Sequence, residues 1–179
     1  MNRSLFITIH MYLAAFLAPF IFLVSISGGL YLLGVKGSVA EQSIFESSEI
    51  GIDAKSDQLK SDVAALLQAA GVSGYSFEYV KVKGDTLYTR PTSRQHYVIK
   101  LGDTVQVVRA QPSLQAALME LHKGHGPTAF KTFQKVFALG LLLIVSSGLW
   151  LGLSATRLRK RTAMAGLAGL ASFLLFVLL

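Results

Sequence analysis

The sequence lacks cysteine altogether in its 179 residues. This absence excludes disulfide bonds, thiolate zinc sites and cysteine-ligated iron–sulfur clusters. Histidine must therefore carry any transition-metal chemistry, and the chain has only four histidines. Three of them, His10, His122 and His125, lie at the edges of long apolar segments. Imidazole rings at the mouths of apolar segments indicate haem or iron chemistry.

Charge is missing from three long stretches, Leu5–Leu33, Val136–Ala155 and Ala163–Leu179. About 20 apolar residues suffice for a helix to cross the hydrocarbon core of a bilayer. A backbone at that depth must be helical or part of a closed barrel, and these runs lack the alternation of barrel strands. The sequence therefore predicts a mainly α membrane protein with three transmembrane helices.

Acidic residues are absent from both ends of the chain. All ten lie between Lys36 and Lys131, with eleven of the 17 lysines and arginines. The others include Arg3 and a cluster between the second and third runs, Arg157, Arg159, Lys160 and Arg161. The positive-inside rule places the N-terminus in the cytoplasm and residues 36–131 in the periplasm of a bacterial-type inner membrane. Four charges between two apolar runs favour contact with the lipid bilayer, and no nucleic acid is expected as a partner.

A cleavable signal peptide is the competing interpretation of the first apolar run, because Ser38-Val39-Ala40 resembles a cleavage site. The hydrophobic part of a signal peptide usually has about 7 to 15 residues. The run here has 29 residues, from Leu5 to Leu33. Its length predicts a retained span.

The region between the first two spans predicts a small α+β domain. Helical spacing of apolar residues marks Asp57–Ala70, and four short β-rich runs follow at Tyr75–Val82, Thr86–Thr89, Gln95–Leu101 and Thr104–Val108. Residues 37–54 are rich in Ser, Glu and Gly and indicate a linker. The predicted order is a first transmembrane helix in 1–35, linker and domain in 36–111, an interfacial helix and turn in 112–127, a second transmembrane helix in 128–156, a basic cytoplasmic turn in 157–161 and a third transmembrane helix in 162–179.

The interfacial helix is predicted over Ser113–Lys123, with Leu114, Ala117, Leu118 and Leu121 on one face, near the outer headgroups. Gly124 is its natural stop, so the last turn brings His122 to the membrane surface.

Two strings of small residues recur near the ends of the first two spans: Ser27-Gly28-Gly29-Leu30-Tyr31 and Ser146-Ser147-Gly148-Leu149-Trp150. Small residues let two helices, or a helix and a flat cofactor, come into close contact. The sequence leaves both interpretations open.

These features together resemble the PepSY-associated transmembrane family. The resemblance rests on His10 opening the first span, the two Ser-Gly-Leu strings, and Leu121-His122-x-Gly124-x-x-Pro127 between them, and covers about residues 5 to 155. It implies a PepSY-like domain outside the membrane and b-type haem held by His10 and His122. Small members are similar to inner-membrane ferric reductases that support ferrous iron uptake, which makes a ferrous iron transporter a candidate partner.

Each histidine also has a plainer interpretation. His10 either ligates a cofactor or extends to the cytoplasmic headgroups. About 30 Å of hydrocarbon separates it from His122 and His125, so a homodimer would have to supply the second axial ligand of an inner haem. Met11 is a poorer alternative, because it points about 100° around the helix from His10. His122 and His125 grip a haem, bind a ferric ion briefly, or do neither. His96, in a predicted strand, is assigned no role and is expected to face solvent or a polar neighbour.

The resulting hypothesis is a homodimeric b-type haem protein, with more than one haem per dimer, that carries electrons outward to ferric iron as its substrate. The sequence has no flavin or nicotinamide fingerprint, no phosphate loop and no hydrolytic constellation, so a separate donor must supply the electrons. The alternatives are a membrane-anchored binding module without enzymatic activity and an accessory subunit of a larger membrane complex.

Overall fold

The computed structural model describes residues 3–179 and divides into two compact units. Residues up to Phe22 together with Lys135–Leu179 form one unit, and Leu23–Gln134 form the other. The five helices of the described residues are α1 (Arg3–Leu32), α2 (Leu59–Ala69), α3 (Leu114–His122), α4 (Thr128–Ser154) and α5 (Arg159–Leu178).

Three of these helices, α1, α4 and α5, are long and apolar enough to cross a membrane, with mean hydropathies of 2.1, 2.2 and 1.7. This confirms the prediction of three long apolar helices. Most of their apolar side chains are exposed on the protein itself, and α5 buries none. Apolar surface of this extent requires a lipid or protein environment, which indicates a membrane-associated protein.

Within the first unit, α1 and α4 pack antiparallel. The Leu17 side chain lies against Gly140, where an added Cβ would come 2.6 Å from Leu17 Cδ1. Phe6 meets Trp150 with 4.6 Å between ring centroids. The missing side chain at Gly140 thus leaves room for the Leu17 side chain of the facing helix.

The basic segment between the second and third apolar runs is only partly a turn. The prediction of a turn over 157–161 is wrong for Arg159, Lys160 and Arg161, which form the first turn of α5. Arginine and lysine favour helix, and their long side chains can extend away from the apolar part of the helix.

The small domain between α1 and α4 in the chain contains a five-stranded antiparallel sheet. Its strands are β1 (Val39–Ser47), β2 (Tyr79–Lys83), β3 (Thr86–Arg90), β4 (His96–Lys100) and β5 (Val105–Pro112), in the order β1-β5-β4-β3-β2. This confirms a small antiparallel sheet between the first two long helices.

The prediction of a linker over residues 37–54 is wrong for β1, which pairs with β5 from Val39 opposite Pro112 to Ser47 opposite Val105. As an edge strand it has one paired side, and most of its side chains are exposed. The alternation of apolar and polar residues that marks a half-buried strand is therefore weak in β1. Its hydrogen bonds to β5 make this segment a strand.

Helix α2 covers one face of the sheet and closes the main core. Val63, Leu66 and Leu67 of α2 are buried with Leu87, Ile99 and Val107 of the sheet. Apolar residues three and four apart on α2 meet alternate residues of the strands, which is the packing that the two periodicities dictate.

Helix α3 contacts β5, and the predicted apolar face of α3 is not the buried one. Ala116 and Met119 are its buried residues, whereas Leu114 is 78% exposed. The sheet decides which face of α3 is covered. The predicted apolar stripe, Leu114, Ala117, Leu118 and Leu121, follows from the helical spacing of apolar residues alone.

Candidate functional site

His10 of α1 lies beside Ser147 of α4. Its Nδ1 is 2.8 Å from Ser147 Oγ. The Ser147 hydroxyl donates to the backbone oxygen of Ile144 at 3.0 Å, so its single proton is already committed. A neutral His10 ring must therefore donate from Nδ1, which leaves the lone pair on Nε2. Within residues 3–179, no hydrogen bond to that Nε2 is formed.

Gly148 makes room for this ring. A Cβ at position 148 would lie 3.3 Å from His10 Cε1. The sequence analysis considered the Ser-Gly string on α4 as a contact for a helix or for a flat cofactor. In the structure, Ser147 instead hydrogen-bonds the His10 ring and Gly148 leaves space for it.

The same arrangement recurs at the other Ser-Gly string, where His122 at the end of α3 meets α1. His122 Nδ1 is 3.4 Å from Ser27 Oγ, and Ser27 Oγ donates to the backbone oxygen of Val24 at 3.1 Å. A Cβ at Gly28 would lie 3.4 Å from His122 Cε1. The contact is longer than that of His10, but its donor and acceptor roles are the same.

Ser27 and Ser147 were not recognised as ring partners from the sequence. Each follows the same rule: a hydroxyl bonded to the carbonyl three residues earlier in its helix accepts a hydrogen bond from a histidine, and a glycine follows. The recurring Ser-Gly-Leu strings were the signal that could have pointed to them.

His125 lies away from the contact that His122 makes. Gly124 has φ +76° and ends α3, with its N–H donating to Leu121 and the N–H of His125 donating to Glu120. This left-handed glycine reverses the chain in a Schellman arrangement. The His125 ring then turns back to Glu120, with 2.8 Å between Nδ1 and Oε2. The two histidines that are neighbours in sequence therefore have different partners.

Glu120 is shared by several donors. Its carboxylate also accepts from Thr92 at 2.5 Å, and Lys123 and Arg90 approach it at 3.4 Å and 3.6 Å. Partial burial raises the pKa of Glu120, but the hydrogen bonds from Thr92 and His125 outweigh it and lower the pKa overall. An ionised carboxylate behind Nδ1 orients a histidine so that Nε2 can ligate a metal.

His96 is buried at 6% exposure, away from bulk solvent, and its polar neighbour is the backbone oxygen of Arg94, 2.9 Å from Nδ1. Burial lowers the pKa of His96 below its ordinary value of 6.5. The neutral form is therefore favoured in the folded domain.

This lowered pKa predicts a pH-dependent stability. Because the pKa of His96 is lower in the folded than in the unfolded protein, neutral His96 contributes to the free energy of unfolding above pH 6.5. That contribution is lost as pH falls from 6.5 through the lowered pKa. Between pH 7.5 and 5.5 the melting temperature, followed by circular dichroism, should fall more for the wild type than for His96→Gln. Equal falls in the two proteins would contradict it.

Among residues 3–179, no group of three or more histidines and carboxylates is placed to hold a metal ion. Axial ligation of haem needs only one or two imidazoles, each with its other nitrogen hydrogen-bonded. His10 and His122 meet that requirement in this chain.

Comparison with known proteins finds no family model, no curated protein and no solved structure that matches the chain. The resemblance to the PepSY-associated family therefore stays a prediction.

Proposed function

We propose that this chain is an inner-membrane b-type haem protein that transfers electrons across the membrane, reduces ferric iron outside and so supports ferrous iron uptake. The observation that carries the proposal is the repeated chain of imidazole, serine hydroxyl and backbone carbonyl at His10 and His122. The proposed orientation keeps the N-terminus in the cytoplasm and the PepSY-like domain in the periplasm.

In this proposal His10 and His122 would hold haem, with His125 as a further candidate ligand. When bound, haem supplies reversible one-electron chemistry. Ser147 and Ser27 keep the proton on Nδ1 and fix the orientation of each ring. Glu120 does the same for His125, with a full negative charge instead of a hydroxyl dipole.

A homodimer completes the proposed haem sites. Each chain brings one histidine to each Ser-Gly string, and a second copy of the chain would supply the second histidine that holds the haem. The exposed apolar surfaces of α1, α4 and α5 are available for lipid and for a second copy. A two-fold axis would pair each His10 with its own counterpart.

The test is an absorption spectrum of the full chain purified in detergent, oxidised and then reduced with dithionite. We expect a Soret band, and ferrous iron formed when the reduced protein meets a ferric chelate. His10→Ala and His122→Ala should each remove only part of the band, because each leaves the other site intact. The triple variant His10→Ala/His122→Ala/His125→Ala should lose both the band and the reduction. His96→Ala is the matched histidine control and should keep the full Soret absorbance.

A wild-type protein that purifies without a Soret band, and whose ferric reduction is unaffected by His10→Ala and His122→Ala, would defeat the proposal. The chain would then be a colourless binding module or an accessory subunit. Detergent-resistant copurification of other chains would select the subunit.

A further inference from the structure

A pocket of about 570 Å³ lies on the face of the sheet opposite α2, beside α3. Alternate residues of the strands line it, because side chains two apart share one face of a sheet. Its volume lies within the range of about 300 to 1,000 Å³ that is usual for small-molecule sites. The side chains that define its charge are the cations Lys36, Lys81, Lys83, Arg90 and Lys123.

Positive charge in this pocket exceeds negative charge. Two carboxylates, Glu41 and Glu120, line it beside the five cations. Glu120 is occupied by Arg90, Lys123 and His125. In the part of the chain that the structure describes, Lys81 and Lys83 form no ion pair with a carboxylate. The uncompensated cations favour an anionic occupant.

Arg90 retains hydrogen-bonding capacity. Its guanidinium donates to Thr92 at 2.6 Å and is largely buried, with 11% of the side chain exposed. Its Nε is the one buried side-chain nitrogen or oxygen within residues 3–179 that has no hydrogen-bond partner. Arg90 also lines the pocket, and a guanidinium group can bind a ligand carboxylate through two hydrogen bonds.

Apolar side chains complete the pocket wall. Val98 and Ala110 contribute from the sheet, and Ala116 and Met119 from α3. A cationic rim around an apolar wall fits a compact molecule that carries several carboxylates, because the rim neutralises charge while the wall contacts the carbon skeleton. His125 also lines the pocket, so one candidate ligand of the proposed function faces the same space.

We infer that this pocket binds a small polycarboxylate chelate of ferric iron with net negative charge. The inference rests on the proposed function and names the substrate class of the reductase. Carboxylate oxygens are the ligands that hard cations prefer. Under the proposed function, haem held by His10 and His122 would supply the one electron that converts the chelated Fe(III) substrate to Fe(II).

The experiment measures binding without redox chemistry. Gallium(III) citrate, which cannot be reduced under these conditions, is titrated calorimetrically into the full chain in phosphatidylcholine nanodiscs. The Lys81→Gln/Lys83→Gln variant should bind at least about tenfold more weakly than the wild type, as should Arg90→Gln, because each loses charge-assisted hydrogen bonds. The matched control Lys55→Gln/Lys60→Gln removes two exposed lysines outside the pocket and should leave binding unchanged.

Three results would overturn the inference: equal binding of the neutral complex tris(maltolato)gallium(III), equal weakening by the control variant, or unchanged binding in all variants. Loss of citrate binding when phosphatidylglycerol replaces phosphatidylcholine would assign the cations to lipid phosphates and would also overturn it. Citrate binding of the expected pattern in a protein without a Soret band would support the pocket while defeating the proposed reductase. The two failures are therefore distinguishable.

Discussion

At the haem site proposed for His10, Ser147→Ala is expected to weaken haem binding about 10- to 100-fold, the range found when a hydrogen-bond partner of a metal-ligating histidine is removed. The physical reason is the hydrogen bond of 2.8 Å from His10 Nδ1 to Ser147 Oγ. Without that acceptor, the ring loses the contact that keeps its proton on Nδ1 and holds its orientation. Titration of haem into the purified apoprotein, followed by Soret absorbance, measures the loss.

Two further variants separate this role from a general packing effect. Ser147→Thr keeps a hydroxyl that can accept from His10 and donate to Ile144, so it should restore most of the affinity. Ser146→Ala removes a hydroxyl from the neighbouring, exposed position of the same helix and should have no effect. Equal affinity in Ser147→Ala and the wild type would rule out ligation through an oriented His10.

Gly37→Ala is expected to destabilise the small domain between α1 and α4 by roughly 2–4 kcal/mol, from left-handed strain and overpacking together. Gly37 has φ +75°, a conformation that costs little only for glycine. A Cβ there would collide with the backbone nitrogen of Ala116 and come 2.8 Å from Ser113 Oγ. The obstacle includes the backbone of α3, which cannot rotate away as a side chain can.

Gly71→Ala is the matched control for this prediction. Gly71 has φ +79°, but nothing lies within 4 Å of its Cβ position, so this variant carries the strain without the collision. The melting temperature of Gly37→Ala should therefore lie roughly 5 °C below that of Gly71→Ala, given about 2–4 °C per kcal/mol at this chain length. Similar melting temperatures for the two variants would show that the contact with α3 relaxes freely.

The predicted collision at Gly37 lies where the start of β1 contacts the N-terminus of α3. Ser38 and Ser113 exchange two hydrogen bonds, from the Ser113 N–H to the Ser38 oxygen and from the Ser38 N–H to Ser113 Oγ. These two hydrogen bonds connect the residue before β1 to the N-cap of α3. Hydrogen exchange of the α3 amides should accelerate in Gly37→Ala, because the loss would be concentrated at this junction.

The elements that the sequence predicted well depend on local properties. Charge-free runs predicted the three long helices, since length and hydropathy suffice for that inference. Helical spacing with a following glycine predicted α2 and the end of α3, because an amphipathic face and a left-handed stop are encoded within a few residues.

The errors came from elements whose stability depends on a distant partner. β1 is an exposed edge strand, so its own residues do not predict the strand that forms when it pairs with β5. The sequence also did not identify Ala116 and Met119 as the residues of α3 that the protein buries, because that burial depends on contact with the distant sheet.

The sequence by itself determined the three long apolar helices and the small α+β domain between the first two, since hydropathy and local periodicity are properties of the chain. The absence of cysteine likewise leaves histidine as the residue type for any transition-metal site. Tertiary structure decided which atoms the histidines meet. Ser147 is 137 positions from His10 and Ser27 is 95 positions from His122, so helix packing alone brings each hydroxyl to its ring. The cationic pocket likewise exists only because strands distant in sequence place alternate side chains on one face of the sheet.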